Sequence, residues 1–182
     1  MDQNCDTQEL CYADTDGDSF GTTSTVLSAD LDCTAAGESA QNTDCDASAP
    51  EIYPDAAEIP ANGTDESCDD RELCYFDEDR DGYGGTETLE SIDLDCTGSF
   101  ESILATDCDD ASASAHPTAA ETPVDGIDQD CDGGDICYID YDGDTFGTTD
   151  TLSSPDLSCS DAGESAVSTD CNDRSSTEYP GA

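Results

Sequence analysis

The chain has 182 residues, with 47 aspartates and glutamates set against three arginines (Arg71, Arg80 and Arg174), no lysine and one histidine, for a formal charge of −44. Nucleic acid and anionic membrane surfaces need basic patches, so this balance excludes both as partners. No apolar run is long enough to span a membrane, and no N-terminal segment has the layout of a signal peptide; for a secreted protein that signal would be removed or lie outside these residues.

Such charge opposes any compact state, and a chain so poor in large apolar residues would ordinarily stay disordered. Twelve cysteines, and acids that recur at fixed positions instead of in solid blocks, argue for a folded protein. The two facts are reconciled if bound cations belong to the folded state, so that metal binding and folding form one equilibrium.

Taken in order, the chain repeats with a 63-residue period, giving repeats at residues 1–64 (recognisable from Cys5 to Thr64), 65–127 and 128–182. Each begins with Asp-x-x-Cys-Asp at residues 2–6, 65–69 and 128–132. Next come CYADTDGDSFG (11–21), CYFDEDRDGYG (74–84) and CYIDYDGDTFG (137–147). Their aspartates stand two apart: Asp14, Asp16 and Asp18; Asp77, Asp79 and Asp81; Asp140, Asp142 and Asp144. Alternate carboxylates on a tightly turning backbone converge on one point. They suit a calcium ion taking roughly six to eight oxygens, one of them a backbone carbonyl at the aromatic position Phe20, Tyr83 or Phe146. A polar surface turn explains one such loop, but three in register point to a site.

The loop is not a complete EF-hand, because the position of the bidentate glutamate is Thr25, Thr88 or Thr151. The closing ligands must come from elsewhere. Residues 22–27 and their copies, rich in β-branched side chains, predict a short strand, and so does the alternating segment 29–33 with its copies 92–96 and 155–159, where Leu31, Leu94 and Leu157 face one way. Thr-Asp-Cys-Asp follows at 43–46 and 106–109, with Asn172 in the last place at 169–172. Tyr-Pro-Asp-Ala-Ala-Glu (53–58) and His-Pro-Thr-Ala-Ala-Glu (116–121) close the first two periods. A second cluster is therefore expected from Asp44, Asp46, Glu58, Asp65 and Asp69, with counterparts Asp107, Asp109, Glu121, Asp128 and Asp132, and Asp170 in the third period. Five acids held together repel strongly unless a divalent ion sits among them, so at least two calcium ions per period are expected.

The cysteines fall in four columns with no C-x-x-C pair, the pattern of a disulfide framework in an oxidising compartment rather than of a thiolate zinc or copper site. Four cysteines allow three pairings per period. Local pairing leaves no orphan at either end: Cys5 with Cys11, Cys33 with Cys45, Cys68 with Cys74, Cys96 with Cys108, Cys131 with Cys137, and Cys159 with Cys171.

The order CYxDxDGDxFG, TDCDD, YPxAxE and DGIDxDCDG (125–133) resembles the MopE-type metal-binding repeat of secreted and cell-surface prokaryotic proteins. It is also similar in spirit to the calcium repeats of thrombospondin type 3. The resemblance implies metal binding by secreted tandem repeats. It departs in one place: the family's cysteine after the glutamate of YPxAxE is replaced by Ile59-Pro60 and Thr122-Pro123. The cysteine before the aspartate loop takes that role, which again pairs it with the cysteine of D-x-D-C-D. The family name carries copper, yet copper prefers imidazole and sulfur, and this chain offers His116 and Met1; His116 stands in an aromatic column with Tyr53 and Tyr179.

Each period offers only Leu10, Tyr12, Phe20, Leu27, Leu31 and Tyr53, or their equivalents, as a core. The expected fold is mostly irregular and small all-β: a linear array of calcium- and disulfide-stapled 63-residue repeats, with short strands and little helix. Neither terminus looks capped, and open complementary ends favour head-to-tail association of copies, as a homopolymer or within a longer tandem chain. The expected function is an extracellular or cell-surface stalk, fibre or filament, with a calcium-dependent adhesin or carbohydrate-binding module as the alternative. Triplicated acid clusters argue against an enzyme. Glycans are a further expected partner, through the sequon Asn62-Gly63-Thr64 and the Thr/Ser tracts 22–25 and 148–151.

Overall fold

The computed structural model describes residues 9–29 and 32–182, so Cys5 and Leu31 lie outside the described residues. Among the described residues nine short strands form three small sheets: β1 (Glu9–Ala13), β2 (Thr25–Ser28) and β3 (Glu38–Ser39); β4 (Glu72–Phe76), β5 (Thr88–Ser91) and β6 (Glu101–Ser102); β7 (Ile136–Ile139), β8 (Thr151–Ser153) and β9 (Glu164–Ser165). Their orders are β2-β1-β3, β5-β4-β6 and β8-β7-β9. No helix occurs among the described residues, so the small all-β class is observed.

In the first sheet β1 pairs antiparallel with β2, Cys11 opposite Val26, and with β3, Tyr12 opposite Ser39. The third sheet repeats this with Cys137 opposite Leu152 and Tyr138 opposite Ser165. The aspartate loop is the long connection between the first two strands of each sheet. The chain divides into two compact units, residues 1–75 with 88–103, and residues 76–87 with 104–182.

Among the described residues five disulfides join Cys11–Cys33, Cys74–Cys96, Cys137–Cys159, Cys45–Cys68 and Cys108–Cys131, with Cα–Cα distances of 5.3–5.7 Å. The local pairing expected from the sequence is therefore wrong for Cys5 with Cys11, Cys33 with Cys45, Cys68 with Cys74, Cys96 with Cys108, Cys131 with Cys137 and Cys159 with Cys171. Cys171 is a free, exposed thiol. The reason lies in the strands. Cys74 is the third residue of β4, and extended chain carries it away from Cys68, whereas a bridge needs Cα atoms within about 7 Å. The chain returns past the sheet at residue 96, where a left-handed backbone (φ 48° at Cys96, 52° at Cys33) turns the thiol inward.

The core is not the expected aliphatic one. Leu10 and Leu27, opposite each other on β1 and β2, are 60% and 67% exposed. What is buried instead is the cystine and hydroxyl face: Cys11, Cys74 and Cys137 with Ser28, Ser39, Ser91, Ser102 and Ser165. The expected strand at 92–96 and 155–159 is a run of bends that leaves Leu94 and Leu157 exposed. Its aspartates take the backbone for themselves: Asp95 Oδ1 accepts from Thr97 N (3.0 Å) and Asp156 Oδ1 from Ser158 N (2.7 Å), the side-chain turns that compete with a ladder. The third strand of each sheet is instead a two-residue Glu-Ser pair with no periodic signal.

Non-reducing peptide mapping should recover Cys11–Cys33 and Cys45–Cys68 linkages. The double variant Cys74→Ser/Cys96→Ser should lose about 3 kcal/mol in urea unfolding, the value for a closed loop of this length.

Candidate metal centres

The first kind of centre is built on the aspartate loop. Its first aspartate spends both oxygens on the loop's own backbone. Asp14 Oδ1 accepts from Gly17 N (2.8 Å) and Oδ2 from Ser19 N (3.2 Å); Asp77 accepts from Arg80 N and Gly82 N (2.6 and 3.0 Å); Asp140 accepts from Gly143 N and Thr145 N (2.7 and 3.0 Å). Loop positions four and six are left-handed in every copy: Gly17 and Ser19, Arg80 and Gly82, Gly143 and Thr145, all with φ between 70° and 98°. Non-glycine residues tolerate this only where the surroundings hold them there.

This winding turns the remaining carboxylates towards one point, and one oxygen from each of Asp14, Asp16 and Asp18 lies within 4.8 Å of the others, as in the two copies. The aromatic residue closes the turn through its backbone: Phe20 N donates to Asp18, Tyr83 N to Asp81 and Phe146 N to Asp144. Their rings stack on Tyr53, His116 and Tyr179 with centroids 5.1–5.6 Å apart, so His116 serves as an aromatic plate.

The closing carboxylate comes from the Thr-Asp-Cys segment, which docks on the loop's final glycine. Gly21 N donates to Gln41 O and Asp44 N to Gly21 O (3.0 and 3.2 Å), and the same two bonds recur at Gly84 with Leu104 and Asp107, and at Gly147 with Val167 and Asp170. The backbones approach too closely for a side chain: a Cβ on Gly21 would stand 2.9 Å from Gln41 O, the oxygen that accepts from Gly21 N. Asp44, Asp107 and Asp170 thus join the first centre instead of the second, where the sequence grouping had placed them. Burial, with Asp16, Asp46 and Asp14 nearby, pushes the Asp44 carboxyl above its usual range; burial and then Asp81 do the same to Asp107.

The second centre uses the same winding around a cystine. Asp65 accepts from Asp69 N and Asp70 N (3.0 and 2.8 Å), and Asp128 from Asp132 N and Gly133 N (3.0 and 2.9 Å), with left-handed Cys68 and Asp70, Cys131 and Gly133. Glu58 and Glu121 reach in from the preceding turn, anchored by Oε1 to Ser67 N and to Gln129 N and Asp130 N. Glu121, Asp128 and Asp130 bring one oxygen each within 4.8 Å of one another. Asp130 was not singled out from the sequence, although residues 128–133 spell D-x-D-x-D-G; Ser67 holds its place one period earlier. Asp46, Asp69, Asp109 and Asp132 are exposed, and Asp46, Asp69 and Asp132 cap Ser48, Arg71 and Gly134.

A half-buried acid–amide pair, with Glu66 or Gln129 as its buried member, braces each second centre. Asn62 Nδ2 donates to Glu66 Oε1 (2.6 Å), while 63 residues on Gln129 Nε2 donates to Asp125 Oδ2 (2.7 Å), acid and amide having changed places. Burial pushes Glu66 up, but Asn62 and the Ile59 N–H hold its carboxyl below the usual range. The sequon asparagine is thus engaged through its amide nitrogen, which donates to Glu66.

Among the described residues, every buried side-chain oxygen or nitrogen that lacks a hydrogen-bond partner belongs to an aspartate or glutamate. They include both oxygens of Asp16 and Asp142, one each from Asp18, Asp44, Asp79, Asp81, Asp107, Asp144 and Asp170, and one each from Glu58 and Glu121. Buried carboxylate oxygens turned towards each other are costly unless a cation satisfies them. The residues present fit a metal ion with oxygen ligands.

A family model, Cu-binding_MopE, described as a putative metal-binding motif, matches residues 44–72, 107–135 and 170–182. The chain carries the MopE metal-binding motif three times. Within this chain each full MopE segment supplies the closing aspartate of the first centre and the whole of the second; the aspartate loop that it completes lies upstream of the match. No curated protein and no solved structure matches the chain significantly.

Two outcomes are expected. Burial first, then neighbouring carboxylates, raises Asp18, Asp79 and Asp142 as well as Asp44 and Asp107, so the cation-free fold binds protons more tightly than the unfolded chain does. Its penalty is complete at neutral pH and is relieved as pH falls through the raised folded values towards about 3.9. The melting temperature of chelated protein should therefore rise on acidification from neutral pH, and that of metal-loaded protein should fall as protons displace the cation. In a second measurement, Gly21→Ala should cost about 1–3 kcal/mol in equilibrium unfolding of the loaded protein, by forcing the segment that carries Asp44 off its loop.

Proposed function

We propose that this is a calcium-binding structural repeat protein of the extracellular space, in which at least two ions per 63-residue period stiffen a stalk, fibre or filament built by head-to-tail stacking. The observation that carries the reading is the set of buried, unpartnered oxygens among the described residues, all of them carboxylate and all but Glu38 Oε2 and Asp173 Oδ2 belonging to acids of the two kinds of centre. A hard cation of calcium's size takes such a set, with water or backbone carbonyls completing it. Copper would draw on imidazole and sulfur. His116 lies flat against Tyr83 with Nδ1 3.0 Å from Pro117 O, and Cys108 and Cys131, which approach Asp107, are spent in a disulfide.

Five disulfides among the described residues support an oxidising, extracellular setting. Head-to-tail stacking is supported by the bridges between periods. Cys45–Cys68 and Cys108–Cys131 each tie one period to the next, Cys171 stands in the column of Cys45 and Cys108, and Cys5 in that of Cys68 and Cys131. A following period would receive Cys171 in the same bond. The reading assigns no residue a catalytic role.

The test is titration of metal-stripped, disulfide-intact protein with calcium, followed by circular dichroism and tyrosine fluorescence. A cooperative gain of structure is expected, with more than one ion bound per period. An ordered fold in excess chelator that calcium leaves unchanged would defeat the reading, as would selective uptake of copper. Electron microscopy at millimolar calcium then checks the filament: dispersed single particles would reject stacking while leaving calcium binding intact.

A further inference from the structure

The three periods differ in one acid that reaches the aspartate loop from outside it. The residue after Asp46, Asp109 and Asn172 is Ala47 in the first period but Asp110 and Asp173 in the next two. Both aspartates bind the loop at the same place, the backbone between its first and second carboxylates: Asp110 Oδ1 accepts from Glu78 N (3.1 Å) and Asp173 Oδ1 from Tyr141 N (2.9 Å). The other oxygen is the informative one. Asp173 is only 7% exposed, and its Oδ2 is buried without any hydrogen-bond partner, like the oxygens of Asp142, Asp144 and Asp170 beside it. A carboxylate so buried, fixed by one oxygen and left unsatisfied at the other, is placed as a ligand, not as a cap. Asp110, anchored in the same way to the second loop, is half-buried.

Building on the calcium reading above, we propose that Asp110 and Asp173 each supply a fifth carboxylate to their loop, and that the first loop, with Ala47, is a four-carboxylate site of lower affinity that fills last. Affinity in oxygen sites follows ligand charge and rigidity, and Ala47 removes both the charge and the anchor to the loop backbone. The first loop therefore orders at a higher calcium concentration than the loops of the second and third periods.

The experiment is a calcium isotherm of the whole chain in competition with a chelating indicator, comparing wild type with Ala47→Asp, Ala47→Asn and Asp16→Asn. Ala47→Asp should tighten the weakest loop step by about tenfold. Ala47→Asn, which can accept the same backbone N–H but adds no charge, should leave that step within about threefold of wild type. Asp16→Asn should abolish the weak step and spare the tight ones. Equal affinities for all three loops in wild type would overturn the proposal, and so would loss of a tight step in Asp16→Asn or an Ala47→Asn variant that matches Ala47→Asp. In each of those results calcium still binds and the functional reading survives. If the wild type takes up no calcium, both fall together.

Discussion

Everything in this fold answers one constraint: like charges must be brought together without basic side chains to neutralise them. Two carboxylates about 4 Å apart repel by about 4 kcal/mol at the effective dielectric of a protein surface, and each first centre gathers at least four. Three arginines cannot offset this, and one of them, Arg71, is held by Glu90 at the surface. A divalent cation turns the repulsion into attraction, so a metal-binding repeat can have acids as its structural core in place of leucines.

The division of labour inside each period follows. The sheets are too short and too polar to hold themselves together, burying cystine and serine while no strand leucine is buried and Leu10 and Leu27 face solvent. They serve as frames that fix the two ends of an aspartate loop. The disulfides keep the unfolded chain compact, which matters most where a hydrophobic core is missing. Left-handed Ser19, Arg80 and Thr145 sit in the aspartate loops themselves. Backbone of that kind persists where its surroundings over-determine it, here through paired N–H bonds to Asp14, Asp77 and Asp140.

Both kinds of centre apply one construction at different places in the period. A leading aspartate winds the backbone, left-handed residues at positions four and six aim the following carboxylates, and an acid from another segment closes the set. That acid is aspartate from Thr-Asp-Cys in one case and glutamate from the Pro turn in the other. The MopE motif spans both, giving one acid to the loop upstream and keeping the rest. Each full copy also carries a disulfide across its length.

The sequence by itself determined the period, the all-β class, the aspartate loops and the chemistry of their donors, because alternate acids ending at an aromatic-glycine pair dictate local winding whatever surrounds them. It also pointed to Glu58 and Glu121 as acids of a second centre. Only the tertiary structure decided which acids share a site and which cysteines share a bond. Asp44 is 26 residues from Asp18, and its docking on Gly21 runs through backbone atoms that carry no sequence signal. Spacing could not show that β4 carries Cys74 away from Cys68, or that aspartate side-chain turns consume the Leu94 and Leu157 segments. Local residues set local turns, but convergence of segments far apart in the chain depends on where strands end and which backbone groups remain unpaired.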